Sequence, residues 1–360
     1  MMEEKIFAGF YLEKLYFMPH FEPVIEELKR RGLSYVVIIP SNIRRDEVDQ
    51  RNESVKYCRS RQIEFCFLEE CKAVRFLIFA NTPGELPADH EKTALIMHGT
   101  WGGKAVYLDP GLNNADVRFI DGQFYQDILT ESFPDLKCEL NISGYSKLDA
   151  YFKYTLQDRN DLLLRCGLDV NKKTILFAPT FYPSSTLNIK SKFPEVLKDY
   201  NIIIKPHSNI FLRKRYRRTL KHIRKWEKYD NVYVAGFADT NILPFMYAAD
   251  LMISDISSAV YEFAGVGKPV VVNMFLHYRW YYRFLRKKIE KRLDMARFYL
   301  WEVGSVVNSY REMLEACRLN LTNPDAHKQR REELVKYVIG TVDGKASVRI
   351  VDKLLEMADK

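Results

Sequence analysis

The sequence predicts an α/β protein of two doubly wound parallel-sheet domains facing a cleft. Three observations carry that prediction. Short apolar, β-branched runs alternate with helical segments in two successive series of similar size, which is the pattern of parallel sheets covered on both faces. Residues 154–173 interrupt the alternation with a polar stretch, and this sets a boundary between the two series. Residues 249–274 read as one βαβ unit: a buried strand at 251–253, a polar turn, a short helix, then Pro269 and a strand at 270–274. The expected division is a first domain at 1–155, a second at 156–345, and a helical C-terminal segment at 346–360 that could pack back on the first domain.

Taken in order, residues 5–11 form the first candidate strand. A helix at 23–31 follows, with Val24, Ile25 and Leu28 on one face, and Gly32 stops it. Residues 34–39 are a strongly apolar strand, and 46–61 a polar helix. Shorter strands follow at 63–68, 76–80, 93–97, 117–120 and 140–142. Beyond the polar stretch, where a helical segment ends at Gly167, strands are expected at 174–178, 201–205, 232–235, 251–254 and 270–274. An amphipathic helix at 347–357 closes the order. No internal repeat stands out.

The chain has 360 residues, 47% of them hydrophobic, enough for sizeable cores, and a formal net charge of +8, which suits an anionic partner. None of the six cysteines forms a Cys-x-x-Cys pair, so they read as reduced thiols rather than a zinc or redox site. No signal peptide is evident, and no apolar stretch approaches the ~18 residues of a membrane span. A cytoplasmic protein is expected, with any membrane contact peripheral.

Polar groups recur where the expected strands end. Residues 94–97 run into His98-Gly99-Thr100-Trp101-Gly102-Gly103-Lys104. Glycines there let backbone approach a ligand closely, and a histidine beside them could take a proton near neutral pH. A turn with a structural histidine is the plain alternative. Ser143-Gly144-Tyr145-Ser146-Lys147-Leu148-Asp149 is a second strand-to-helix turn, where ordinary capping is the plain reading. Ala178-Pro179-Thr180 ends the first strand of the second series, and Lys205-Pro206-His207 reaches the same edge, where Lys205 and His207 could contact phosphate. Asp239 precedes a helix that it could simply cap. Asp255-Ile256-Ser257-Ser258 stands at the start of a helix whose N–H groups would favour an anion, unless its hydroxyls only cap it. There is no P-loop, no G-x-G-x-x-G after the first strand, no G-x-S-x-G elbow and no H-E-x-x-H helix.

Together these turns resemble the CDP-glycerol glycerophosphotransferase family of teichoic-acid and capsule biosynthesis. The matching pieces are His98-Gly99-Thr100, Gly144 to Asp149, Phe177-Ala178-Pro179-Thr180, Lys205-Pro206-His207, Asp239, Asp255-Ile256-Ser257-Ser258 and Gly267-Lys268-Pro269, in the family's order. The resemblance implies a GT-B architecture and transfer of a polyol phosphate from a CDP-polyol to an acceptor hydroxyl, releasing CMP. It implies that His98 is the catalytic base and Asp239 a second catalytic carboxylate. On the same basis Thr180, Lys205, His207, Asp255, Ser257 and Ser258 bind the donor, and Gly99 and Thr100 lie on the acceptor side. The chain departs from the pattern at Trp101, where the family often has proline, at Pro206, which precedes rather than follows its histidine, and at Ile256, where tyrosine is common.

Attack on the polyol-bearing phosphate needs a deprotonated hydroxyl and stabilised pyrophosphate charge. No carboxylate cluster suggests a metal, so a mechanism with neither metal nor cofactor is expected. A GT-B glycosyltransferase or a UDP-sugar epimerase would use the same phosphate-binding turns. A polyanion-binding protein would also suit the charge, but the basic residues follow no nucleic-acid-binding pattern. The acceptor is expected to be a lipid-linked saccharide or a polymer, met at an anionic membrane surface. Two basic stretches could hold the chain there: 211–228, with Leu212, Tyr216, Leu220, Ile223 and Trp226 at helical spacing, and 279–292.

Overall fold

The computed structural model describes residues 5–40, 49–82, 89–103, 105–279 and 294–360. They divide into two compact units: Met1–Thr100 with Tyr107–Phe152 and Val338–Lys360, and Trp101–Val106 with Lys153–Tyr337. The sequence had put the boundaries at 155 and 345. It had not foreseen that Trp101–Val106 would fall with the second unit.

The first unit is built on seven strands: β1 Ile6–Tyr11, β2 Tyr35–Ile39, β3 Phe65–Phe67, β4 Val74–Phe79, β5 His90–Ile96, β6 Val117–Ile120 and β7 Glu139–Ile142. They pair in the order β3-β2-β1-β4-β5-β6-β7, every pair parallel, with Tyr11 opposite Ile38 and Phe79. The second has six: β8 Thr174–Ala178, β9 Asn201–Ile204, β10 Val232–Val234, β11 Leu251–Ser254, β12 Val270–Asn273 and β13 Ser305–Val307. Their order is β10-β9-β8-β11-β12-β13, again all parallel. Central strands such as Leu251–Ser254 are buried along their whole length, as parallel strands covered on both faces must be. Chain order reverses between β1 and β4 in one sheet and between β8 and β11 in the other. Ligands of open α/β sheets bind beyond the strand ends at such points. Two parallel-sheet α/β domains of this kind are GT-B-like.

The sequence missed β13, whose apolar signal is only Val306-Val307 at a sheet edge. It also started the first helix a turn and more late. The helix is Met18–Arg30, with Pro19 in its first turn and Pro23 inside it. The proline that marks the helix start is Pro19, in the first turn, where its missing N–H would have had no intrahelical partner anyway; Pro23 lies inside the helix. The polar boundary stretch holds Leu156–Arg165, started by a capping box in which Thr155 and Asp158 exchange hydrogen bonds. Gly167 ends it at φ +70.

The first basic stretch is not one amphipathic helix. It breaks at Arg213 (φ −125, ψ 121) into Asn209–Leu212, a single 3-10 turn at Lys214–Tyr216, and Arg217–Arg224. Its apolar residues point inward. Ile223 and Trp226 are fully buried in the core of the second unit, where Trp226 meets Phe193 and Phe177 at 5.7 and 6.2 Å. Most of the apolar stripe expected to meet lipid is therefore core; Leu220 is half-buried, and the charges lie mainly outside. The second stretch lies, but for Arg279, outside the described residues.

Candidate functional site

Each unit carries its candidate residues at the carboxyl ends of its strands. In the first, His98 follows β5 and its backbone N–H donates to Ala80 O, just past β4. Its Nδ1 lies 2.7 Å from the same carbonyl oxygen. A carbonyl only accepts, so Nδ1 bears the ring proton and Nε2 keeps its lone pair. Phe17 and Tyr16 pack on the ring at 4.8 and 5.7 Å. Burial lowers the His98 pKa below the usual histidine range, opposed by the bond to Ala80 and helped by Lys14. The result is a neutral imidazole with a fixed tautomer, as a base requires. Gly99 is half-buried, and Thr100 is buried with its Oγ1 lacking a hydrogen-bond partner among the described residues.

The glycines after Thr100 serve the protein rather than a ligand. A Cβ on Gly102 would sit 2.5 Å from the Ser258 backbone nitrogen, and one on Gly103, at φ +70, 2.5 Å from the Ile256 side chain. Trp101 anchors this loop in the second unit, with Trp301 at 4.8 Å, Tyr261 at 5.8 Å and its Nε1–H donating to Asp294 at 3.2 Å. The sequence could not show this, because close approach to a ligand and close approach to backbone leave the same glycines.

In the second unit Asp255, expected to bind the donor, is completely enclosed. Its oxygens accept from Thr180 N at 3.2 Å, Ser185 N at 3.0 Å and Ser185 Oγ at 2.5 Å. Burial pushes its pKa up to about 6, held back by those donors, so it is ionised at neutral pH. Asp255, expected to bind the donor, thus braces the switch-point turn through Thr180 and Ser185. Thr180 is also enclosed, with its N–H committed to Asp255.

Ser257 and Ser258 are half-buried at the start of the helix Ala259–Gly265. The expected capping is weak: Ser258 makes no side-chain cap bond, and Ser257 Oγ accepts from Ala259 N at 3.4 Å. His207 follows β9. Its Nδ1 accepts from Asn209 N at 3.1 Å, which puts the ring proton on Nε2. Phe181 holds the ring at 4.8 Å. Lys205 continues the ladder, its N–H on Phe177 O at 2.9 Å.

Asp239 braces its own turn. Its Oδ2 accepts from Gly236 N at 2.7 Å and from Tyr233 OH at 3.4 Å. It does not cap the following helix, Leu243–Ala248; Asn241 Oδ1 takes the Leu243 N–H there at 3.0 Å. Two further motif residues are structural. Lys268 gives its ammonium to the carbonyls of Met246, Tyr247 and Ala249 at the end of that helix, and burial lowers its pKa to about 8. Asp149 caps the helix Ala346–Ala358 from a distance in sequence, accepting from Ala346 N at 3.1 Å and Ser347 N at 2.6 Å. Among the described residues, no group of three or more His, Cys, Asp or Glu side chains gathers to hold a metal.

Comparison with known proteins follows the same lines. The family described as CDP-Glycerol:Poly(glycerophosphate) glycerophosphotransferase matches residues 109–356. A teichoic acid glycerol-phosphate primase of Bacillus spizizenii is 25% identical over 155 residues, 43% of this chain and 39% of that protein. The teichoic acid ribitol-phosphate polymerase TarK of Staphylococcus aureus is 24% identical over 224 residues, 59% of this chain and 40% of that protein. The chain thus spans about two fifths of the length of these curated relatives, 39% and 40%. Among solved structures, the wall teichoic acid polymerase TagF superposes with a TM-score of 0.66 at 17% identity, covering 99% of this chain and 89% of that one. A UDP-N-acetylglucosamine 2-epimerase gives 0.62 at 14%, covering 99% and 97%. Both show the fold. The family match spans more than half of the chain, and the chain belongs to the CDP-glycerol:poly(glycerophosphate) glycerophosphotransferase family.

Proposed function

We propose that the chain is a transferase that moves a polyol phosphate from a CDP-polyol to a hydroxyl of a saccharide or polymer acceptor, releasing CMP, in teichoic-acid or capsule biosynthesis. The observation that carries this reading is the family match over residues 109–356. His98 precedes the matched residues, so its role rests on its geometry. Its free Nε2 lone pair takes the proton from the attacking hydroxyl. The Nε2–H of His207 donates to the donor pyrophosphate, with Ser257, Ser258 and Lys205 beside it on the second unit. The charge that builds on the leaving CMP is then met by oriented donors. Asp239 acts by holding the Gly236 turn near this seat; a direct catalytic part for it has only the motif in its favour. The test is product analysis after incubation with CDP-glycerol, CDP-ribitol and UDP-N-acetylglucosamine. CMP release and a product heavier by one polyol phosphate are expected. Turnover of the UDP-sugar alone, with no CMP released from either CDP-polyol, would overturn this reading.

The enzyme would meet a lipid-linked acceptor at the cytoplasmic face of the membrane. No helix among the described residues is long and apolar enough to cross a membrane. The support is the exposed basic face that includes Arg217, Arg218, Lys221 and Lys225, which would act by charge and not by insertion. Co-sedimentation with anionic vesicles, lost in high salt, is expected. Full recovery in the supernatant at low salt would remove the membrane from the proposal.

A further inference from the structure

The second unit carries a pocket that the transfer chemistry above does not use. It is lined by Leu187, Arg217, Arg218, Lys221, His222 and Lys225 and holds about 500 Å³, within the ~300–1,000 Å³ of small-ligand sites. Lys205, His207, Ser257 and Ser258, the residues of the donor seat, do not line it. The two arginines and two lysines are exposed while Leu187 and His222 are half-buried, so the pocket opens to solvent. No carboxylate lines it, and among the described residues none of these four cations stands in an ion pair.

The clustering works against the fold. Arg217, Lys221 and Lys225 follow one another at intervals of four along the helix Arg217–Arg224 and its end, so like charges stand one turn apart and repel. Arg217 and Arg218 also occupy the first turn, which has no acidic residue and where the helix dipole opposes a cation. The helix is held from its other side, by Ile223 and Trp226 in the core. His222 adds to the same wall. Its Nε2 lies 3.0 Å from Ile189 O, so Nε2 bears the proton and Nδ1 keeps a lone pair. Burial lowers its pKa below the usual histidine range, opposed by the bond to Ile189 and helped by Lys225 and Arg218; no acid bears on the ring. Charge that acted only diffusely would need no concavity, yet here it converges on one.

We propose that this pocket is a second anion site, selective for a multiply charged phosphate group: a terminal phosphomonoester or a diphosphate. It goes beyond the transferase reading and does not depend on it. The guanidinium groups of Arg217 and Arg218 give paired N–H donors to the phosphate oxygens, and Lys221 and Lys225 add charge. A monoester phosphate brings about two charges, whereas a phosphodiester brings one and leaves most of the repulsion in place. The group could be carried by a free metabolite or by a lipid. On a lipid it would turn the charge contact proposed above into recognition of a headgroup; free, it would be an effector.

The full chain, labelled with 15N-histidine, is titrated with pyrophosphate, inorganic phosphate and dimethyl phosphate at fixed ionic strength. The His222 ring resonances, assigned by their loss in His222→Gln, are followed by NMR. Pyrophosphate and phosphate should shift them and raise the pH at which they titrate, and dimethyl phosphate should bind about tenfold more weakly or worse. Arg218→Gln and Lys221→Gln should each weaken pyrophosphate about tenfold or more and leave any response of His207 in place. Both side chains are exposed, so the variants should fold, and Lys221→Gln, which relieves a repulsion, should melt no lower than wild type in phosphate-free buffer. Co-sedimentation separates the sources. Vesicles of phosphatidylcholine with phosphatidic acid are compared with phosphatidylglycerol vesicles of the same surface charge. A preference for the monoester lipid marks a headgroup; no preference, beside tight pyrophosphate binding, marks a soluble ligand. A His222 response that disappears in His207→Ala would put the anion at the donor seat and overturn the site. Dimethyl phosphate binding as tightly as pyrophosphate, or wild-type affinity in both charge variants, would overturn it as well. A chain that binds pyrophosphate beside His222 yet releases no CMP would sink the transferase and leave this site standing.

Discussion

His98 and His207 occupy comparable places in their own sheets and carry their protons on opposite nitrogens. Each follows a strand that neighbours a switch-point strand, β5 beside β4 and β9 beside β8. The partner of Nδ1 decides the difference. A carbonyl oxygen fixes the proton on Nδ1 of His98, whereas a backbone N–H removes it from Nδ1 of His207. One ring then offers a lone pair and the other a hydrogen. The contrast teaches that a motif histidine acquires its role from the main-chain atom behind it, which the motif itself does not record.

The comparison is broken most sharply at His98. His98→Ala should lower turnover by roughly 10²–10⁴-fold, the scale of a lost general base, with little change in melting temperature. Turnover near wild type would remove the base from this position. His207→Ala should act on binding instead. Losing a hydrogen bond to a charged group costs about 1.5–3 kcal/mol, so donor KM should rise roughly 10- to 100-fold while the acid limb of the pH profile stays where it was. A kcat loss equal to that of His98→Ala would erase the distinction between the two rings.

Gly102→Ala sharpens the comparison from the side. The added methyl would meet Ser258 N at 2.5 Å, and the shift it forces should cost about 1–3 kcal/mol. A lowered melting temperature and weaker donor binding, without movement of the pH profile, are expected. An unchanged melting temperature would mean that the loop yields freely. The smallest effect is on the pH profile itself. The folded pKa of His98 lies below the ordinary value, and a base must be unprotonated, so the acid limb of kcat/KM should fall below pH 6.5. A limb above 6.5 would assign it to another group.

Most of the two sheets was legible because their strands are short continuous apolar runs with polar breaks between them, as at Leu251–Ser254 and Val270–Asn273. β13 was not, since three residues at an edge bury too little to leave a pattern. The site was legible as a set of strand-end residues but not as a set of roles. Asp255 and Ser257 stand two positions apart in one motif, yet the first is sealed inside by Thr180 and Ser185 and the second remains half-buried at the helix start. Burial of a polar side chain depends on partners about 70 residues away, and local sequence carries no trace of them. The stretch at Arg217–Arg224 failed for a related reason. Its spacing fits a helix lying on lipid and a helix lying on a sheet equally well, and only the core around Phe177 and Phe193 decides between them.

The cap that Asp149 places on Ala346–Ala358 has a consequence for synthesis. That helix buries Ile350, Val351, Leu354 and Met357 among Phe10, Phe21 and other residues of the first sheet. Arg75 and Lys92, on β4 and β5, hold the carbonyls of Ala358 and Met357. The amino-terminal sheet emerges first from the ribosome but cannot complete its core until residues 338–360 have followed the whole of the second unit. At about 5–20 residues per second, the nascent sheet waits on the order of ten seconds or more with that face uncovered. Chains stalled before Val338 should accordingly remain open to protease in their first 152 residues while Lys153–Tyr337 is already resistant. In translation, the sheet that is made first is the one completed last.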